Sequence, residues 1–197
     1  MTLEGLWHEA VCVLGGTPAP TDLDVRYAES HRGYHNADHV LAVVRDVEWL
    51  AEGLDARDRA VLRLAALAHD VVYDGKPGDD ERASARWVLD HLEVPERRRV
   101  AELVLATIDH EADDEGAALL MDADLAVLGS EPAAYERYRS AVRAEYAHVP
   151  DEAWRAGRAR VLEQLLARDP LYVTPRARDR WGSRAVVNLR AELSGLR

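Results

Sequence analysis

Apolar residues recur at helical spacing along almost the whole chain. Val40, Val43, Val44, Val47 and Leu50 follow the i, i+3, i+4, i+7 pattern of one buried helix face. Asn36 is a suitable N-cap for that helix, and Asp38 in its first turn suits the helix dipole. Asp55 can cap the next helix, which runs through Val61, Leu62, Leu64, Ala65, Leu67 and Ala68 to about Tyr73. That segment is apolar nearly all round, so it is expected at the centre of the fold. Lys76-Pro77-Gly78-Asp79-Asp80 reads as a loop. Further helices are expected at about 81–91, from beyond Pro95 to about His110, and at 121–128, where Gly129 ends the element. Two longer ones follow at about 131–147 and 151–168, with Pro150 between them. Pro170 and Pro175 bracket a connection to a last helix near the C-terminus. No stretch alternates with period two, so no sheet is expected. The pattern predicts an all-α, single-domain helical bundle over residues 1–197, without repeats or long linkers.

Charge adds one asymmetry. The net charge is -11, which disfavours stable nucleic-acid binding, because phosphate contacts need clustered Lys and Arg. Yet residues 155–197 hold ten Arg against Glu163, Asp169, Asp179 and Glu192, a net +6. These Arg either pack against acidic neighbours or face a small anion. No apolar run reaches the roughly 18 residues of a membrane span, and Met1-Thr2-Leu3-Glu4, without a basic start and an apolar run, leads to the expectation of no secretory signal. With Cys12 as the only cysteine there is no internal disulfide and no thiolate metal cluster. A cytoplasmic location is the simplest expectation. A homo-oligomer is compatible with the sequence.

Ionisable residues interrupt three apolar helical settings. His69-Asp70 ends the expected central helix, His39 opens the amphipathic one, and Asp122-Ala123-Asp124 sits between Leu119, Leu120, Met121 and Leu125, Val127, Leu128. Unpaired burial of such groups is costly, so they need partners. Imidazole and carboxylate together suit a divalent metal of borderline or harder character, and without thiolate the set does not resemble a structural zinc site. Asp122 and Asp124 are two apart on a helix and point to different faces, so only one is easily a ligand.

The order His39, His69-Asp70, Asp124 resembles the HD superfamily of metal-dependent phosphohydrolases. The likeness extends to Tyr27-Ala28-Glu29, His31-Arg32-Gly33-Tyr34-His35-Asn36, Ala68-His69-Asp70-Val71-Val72-Tyr73, Glu81 with Ser84-Ala85, and Thr107-Ile108-Asp109-His110. It continues through Met121-Asp122-Ala123-Asp124-Leu125-Ala126-Val127-Leu128-Gly129 and Leu171-Tyr172-Val173-Thr174, and is similar to a bacterial subfamily of HD phosphohydrolases. The resemblance implies a helical core in which His39, His69, Asp70 and Asp124 hold one divalent metal ion, whether Mn, Fe, Co, Ni, Mg or Zn. Asp124-Leu125 matches the family's last ligand better than Asp122, which is then a cap or supporting acceptor. The resemblance also marks His110 as a second-metal ligand or proton donor and Glu81 as a group that orients the attacking water.

Beside His39, Arg32 and His35 crowd together just before a helix N-terminus, where free N–H groups favour anions. Arg32 offers a fork for phosphate oxygens or a surface ion pair. His35 offers a phosphate contact, a second-metal ligand or a backbone bond. The family implies hydrolysis of a phosphoester or pyrophosphate bond in a small phosphorylated molecule, a nucleotide being the expected class, with Asp70 assisting deprotonation of water. The rival readings are an HD-fold di-iron oxygenase, which needs a histidine near Glu81, and a non-catalytic ligand-binding module.

Overall fold

The computed structural model describes residues 2–108 and 112–196. Among these the protein is all-α, with no strand. It forms two compact units, Met1–Ala123 and Asp124–Arg197.

In the first unit, α1 (Leu3–Val13), α2 (Leu23–Arg26), α3 (Ala37–Leu50), α4 (Ala56–Ala68), α5 (Asp79–His91) and α6 (Arg97–Ala106) surround one core, and α7 (Glu115–Asp124) begins there. Helix α4 is the centre, packed by α1, α3, α5 and α6. Leu64, Ala65, Ala66, Leu67 and Ala68 are all fully buried, as the apolar character of that segment requires. Asn36 caps α3 by accepting from the Asp38 and His39 amides, and Asp55 caps α4 through the Arg57 and Asp58 amides.

Four boundaries differ from the sequence expectation. Helix α4 stops at Ala68, with His69 as its C-cap, instead of running to Tyr73. The backbone beyond it finds other partners. The Val72 amide donates to Ser84 Oγ and the Asp74 amide to Asp80 Oδ2, while Arg32 takes the Asp70 and Val71 carbonyls. Helix α5 starts two residues early, at Asp79, because the Asp80 carboxylate organises the loop before it through the Asp74 and Lys76 amides. The 121–128 segment is divided. Helix α7 ends at Asp124 and a 3-10 turn covers Leu125–Gly129. A fourth boundary, the end of α6, falls at Ala106 with Thr107 as its C-cap, short of the expected end near His110, which itself lies outside the described residues.

The second unit comprises that 3-10 turn, α8 (Pro132–Glu145), α9 (Asp151–Ala167), the short α10 (Pro175–Ala177), a π turn (Arg178–Gly182) and α11 (Ser183–Leu196). Helix α11 packs on α9 and on both turns. The carbonyls of the 3-10 segment are received by side chains: Tyr172 Oη donates to Leu125 at 2.9 Å, and Asn188 Nδ2 donates to Leu128 and Ser130, each at 2.9 Å. A Cβ on Gly129 would lie 2.7 Å from the Trp181 carbonyl oxygen, so only glycine permits this approach. Part of the basic tail is spent locally. Arg158 is paired with Glu192, and Arg184 with Glu131.

Candidate metal centre

Three of the expected ligands meet in the first unit. Asn36 sets the start of α3 and so places His39 one turn inside it, 6% exposed. The end of α4 places His69, 2% exposed, with Asp70 next to it and partly exposed. His69 Nδ1 lies 2.9 Å from the Ala66 carbonyl oxygen. A carbonyl only accepts, so Nδ1 carries the proton, and in the neutral ring Nε2 presents a lone pair. That Nε2 is 3.2 Å from His39 Nε2 and 3.1 Å from Asp70 Oδ2, and the third edge, His39 Nε2 to Asp70 Oδ2, is 3.4 Å.

This triangle fits a divalent ion. Bonds of about 2.0–2.2 Å at right-angled to tetrahedral geometry span ligand–ligand edges of roughly 3.0–3.5 Å. The backbone bond to the far nitrogen of His69 is also the support that metal-bound imidazoles use. Two nitrogens and one oxygen without sulfur suit a Zn, Mn, Fe, Co or Ni ion. Burial opposes the charge of Asp70, but with the imidazoles protonated the charge of His69, hydrogen bonds from His39 and His69, and the charge of His35 outweigh it. They hold the carboxyl well below the usual carboxylate range, so Asp70 is ionised and ready to ligate.

An aromatic rim adjoins the triangle. The His35 ring stacks on Tyr73 at 4.2 Å and meets the His39 ring edge-on at 5.7 Å. The Tyr34 ring lies 4.6 Å from that of His39. Tyr34, His35 and Tyr73 are half-buried, with part of each exposed to solvent. His31 donates from Nε2 to the Tyr73 carbonyl at 2.7 Å, fixing the far side of the rim. The nearness of Tyr34 to His39 follows from the sequence, whereas the stacking of Tyr73 on His35 was not evident there, Tyr73 being simply three residues past Asp70.

Two of the expected site residues bond to the protein itself. Arg32 has no exposed side-chain surface, and its guanidinium donates to Glu29 Oε2 and to the His35, Asp70 and Val71 carbonyls. It is committed to the protein's own oxygens and is not a phosphate-binding group. Glu81 has a partner within its own helix start. Its carboxylate turns back to accept from the Gly78 amide, closing the N-terminus of α5. Both residues nevertheless flank the segments that carry the site.

The two candidate carboxylates of α7 fall in different surroundings. Asp122 is 1% exposed in the first unit. Asp124 opens the second unit, partly exposed, where its charge acts on the Tyr138 phenol. His110 lies outside the described residues. No described helix is long and apolar enough to cross a membrane.

Comparison with known proteins agrees with this geometry. No curated protein and no solved structure matches the chain. The family model described as HD domain matches residues 36–142, more than half of the 197 residues. The matched span contains the histidine of α3 and the His-Asp pair after α4, whose donor atoms converge at metal-binding distances. On the family model and its extent, the chain belongs to the HD domain family.

Proposed function

We propose that the protein is a metal-dependent phosphohydrolase acting on a small phosphorylated molecule, with a nucleotide as the substrate class. The observation that carries this reading is the convergence of His39 Nε2, His69 Nε2 and Asp70 Oδ2, with His69 oriented by the Ala66 carbonyl. These residues would hold the ion. When bound, a divalent ion supplies Lewis-acid activation of water and neutralises charge at phosphorus. Asp70, ionised and partly open to solvent, accepts a proton from the attacking water. His35, next to the triangle yet half-exposed, contacts a phosphate oxygen. Tyr34, partly exposed beside His39, offers an aromatic contact for a base. The di-iron alternative needs a histidine near Glu81, where the sequence offers Asp79, Asp80 and Arg82.

The test is a hydrolysis panel of nucleotides, sugar phosphates and pyrophosphate. The protein is stripped with chelator, then given Mn, Fe, Co, Ni, Mg or Zn in turn. Phosphate or pyrophosphate release that requires added metal is expected. Release indifferent to metal, or none from any substrate, contradicts the proposal.

By the order of the family's motif, Asp124 is proposed as a further ligand. Asp124→Asn is expected to weaken metal affinity by about 10-fold or more, because one anionic donor of the set is lost. Asp122→Asn is expected to affect chiefly stability, since its carboxylate is buried. Calorimetric metal titration of both variants checks this, and the opposite order of affinities assigns the ligand to Asp122.

A further inference from the structure

The buried Arg32 has more partners than an ion pair requires. Enclosing a guanidinium is costly unless its N–H groups are bonded. Nε donates to Glu29 Oε2 at 3.0 Å, Nη1 to the His35 carbonyl at 3.0 Å and to the Asp70 carbonyl at 2.7 Å, and Nη2 to the Val71 carbonyl at 3.1 Å. Its central carbon lies 5.0 Å from the Tyr27 ring centre and 5.7 Å from that of Tyr73. Tyr27 in turn donates to the Leu67 carbonyl, in the last turn of α4, at 3.0 Å.

These bonds join two chain segments. His35 immediately precedes the cap of α3, which carries His39. Asp70 and Val71 follow the end of α4, next to His69. One Nη1 thus bridges the backbone of both segments that supply the converging donor atoms. A planar guanidinium has fixed N–H directions, so the spacing between the two segments is held rigidly. We infer that Arg32 is a positioning residue, whose guanidinium sets the distance between the His39 segment and the His69–Asp70 segment and thereby the metal affinity and coordination geometry. The inference rests on the metal-binding reading above.

The test compares wild type, Arg32→Lys and Glu29→Gln, all stripped of metal. Each is titrated with Co(II) by calorimetry, and the visible spectrum of the Co(II) form is recorded. Helix content and melting are measured on the metal-free proteins. Lysine keeps the charge but cannot bridge several carbonyls in one plane. Folded Arg32→Lys is expected to bind Co(II) about 10- to 100-fold more weakly, with a shifted d–d spectrum. Glu29→Gln keeps an acceptor for Nε but removes the charge opposite the guanidinium, and is expected to show a smaller loss in the same direction. A purely structural role would lower melting and leave affinity and spectrum unchanged. That result in a folded Arg32→Lys overturns the inference. If Arg32→Lys does not fold, wild-type affinity and spectrum in Glu29→Gln overturn it. A wild type that binds no Co(II) removes the metal reading itself, whereas a binding wild type with an indifferent Arg32→Lys removes only this inference.

Discussion

His69→Ala and Asp70→Ala are expected to lose divalent metal and hydrolytic activity together while remaining helical. Each substitution deletes one corner of a triangle whose edges are 3.1, 3.2 and 3.4 Å, so the two remaining donors can chelate only from one side. If a site stabilised by about 10 kcal/mol or more is shared among three or four ligands, one ligand is worth roughly 3 kcal/mol, or about 100-fold in affinity. The fold is held by the buried face of α4, which neither residue forms, and the His69–Ala66 bond is worth only about 1 kcal/mol to stability. Metal content, turnover and circular dichroism of the two variants check this, and full metal occupancy in both refutes it. The same site dictates an acid dependence. Asp70 has a lowered pKa, so its contribution is present above the ordinary carboxylate range and persists as the pH falls, until the lowered value is reached. Acid loss of metal in the wild type is therefore expected to follow protonation of the imidazole ligands in competition with the metal, and not protonation of Asp70.

The second large effect is expected in the other unit, at Glu192. This carboxylate is 3% exposed on α11. It accepts from Arg158 Nε at 2.8 Å and Nη2 at 3.1 Å, and from the Tyr135 hydroxyl. Arg158 also donates to Tyr138 Oη at 3.1 Å. Burial and the adjacent carboxylate push the Tyr135 phenol far above its usual range, so it remains a donor at any physiological pH. Burial works against the charge of Arg158, but Tyr138 and Glu192 outweigh it. Glu192→Ala leaves that guanidinium enclosed without its carboxylate, at a cost of about 3–5 kcal/mol. The double variant Arg158→Met with Glu192→Leu is expected to lose less, since the enclosed Arg158 charge is gone, and the remaining loss falls on Arg139, whose Nε lies 3.7 Å from Glu192 Oε1. Urea denaturation measures both, and a single variant as stable as wild type would show that the pair contributes nothing.

Much of the helical framework was legible because its signals are local. Asn36 and Asp55 cap the helices expected of them, and the apolar run 61–68 is the central helix. Helices α1 and α2 have no counterpart among the expected elements, although Leu3, Leu6, Trp7, Ala10 and Val11 repeat at helical spacing and Thr2 caps α1. The end of α4 was misplaced by several residues, because the groups that receive the next amides and carbonyls are distant in sequence: Ser84, Asp80 and Arg32. Arg32 was misread for the same reason. Its partners are carbonyls 38 and 39 residues away, and no pattern around Arg32 announces them. Glu81 carried a partial local signal, an acidic residue three positions into its helix, but the cap position is Gly78 and not the Ser or Thr that completes the usual motif. The convergence of His39 and His69 came from the polar interruption of apolar helices and from family likeness. The stacking of Tyr73 on His35 could be seen only once the loops were folded.

The central claim is that one divalent ion sits on the triangle of His39, His69 and Asp70. Crystals of the protein loaded with Mn(II) or Zn(II), with data collected at the metal's absorption edge, test it most directly. The account predicts an anomalous peak about 2.0–2.2 Å from His39 Nε2, His69 Nε2 and an Asp70 carboxylate oxygen. A peak elsewhere on the protein, with these three side chains unligated at full metal occupancy, would contradict it.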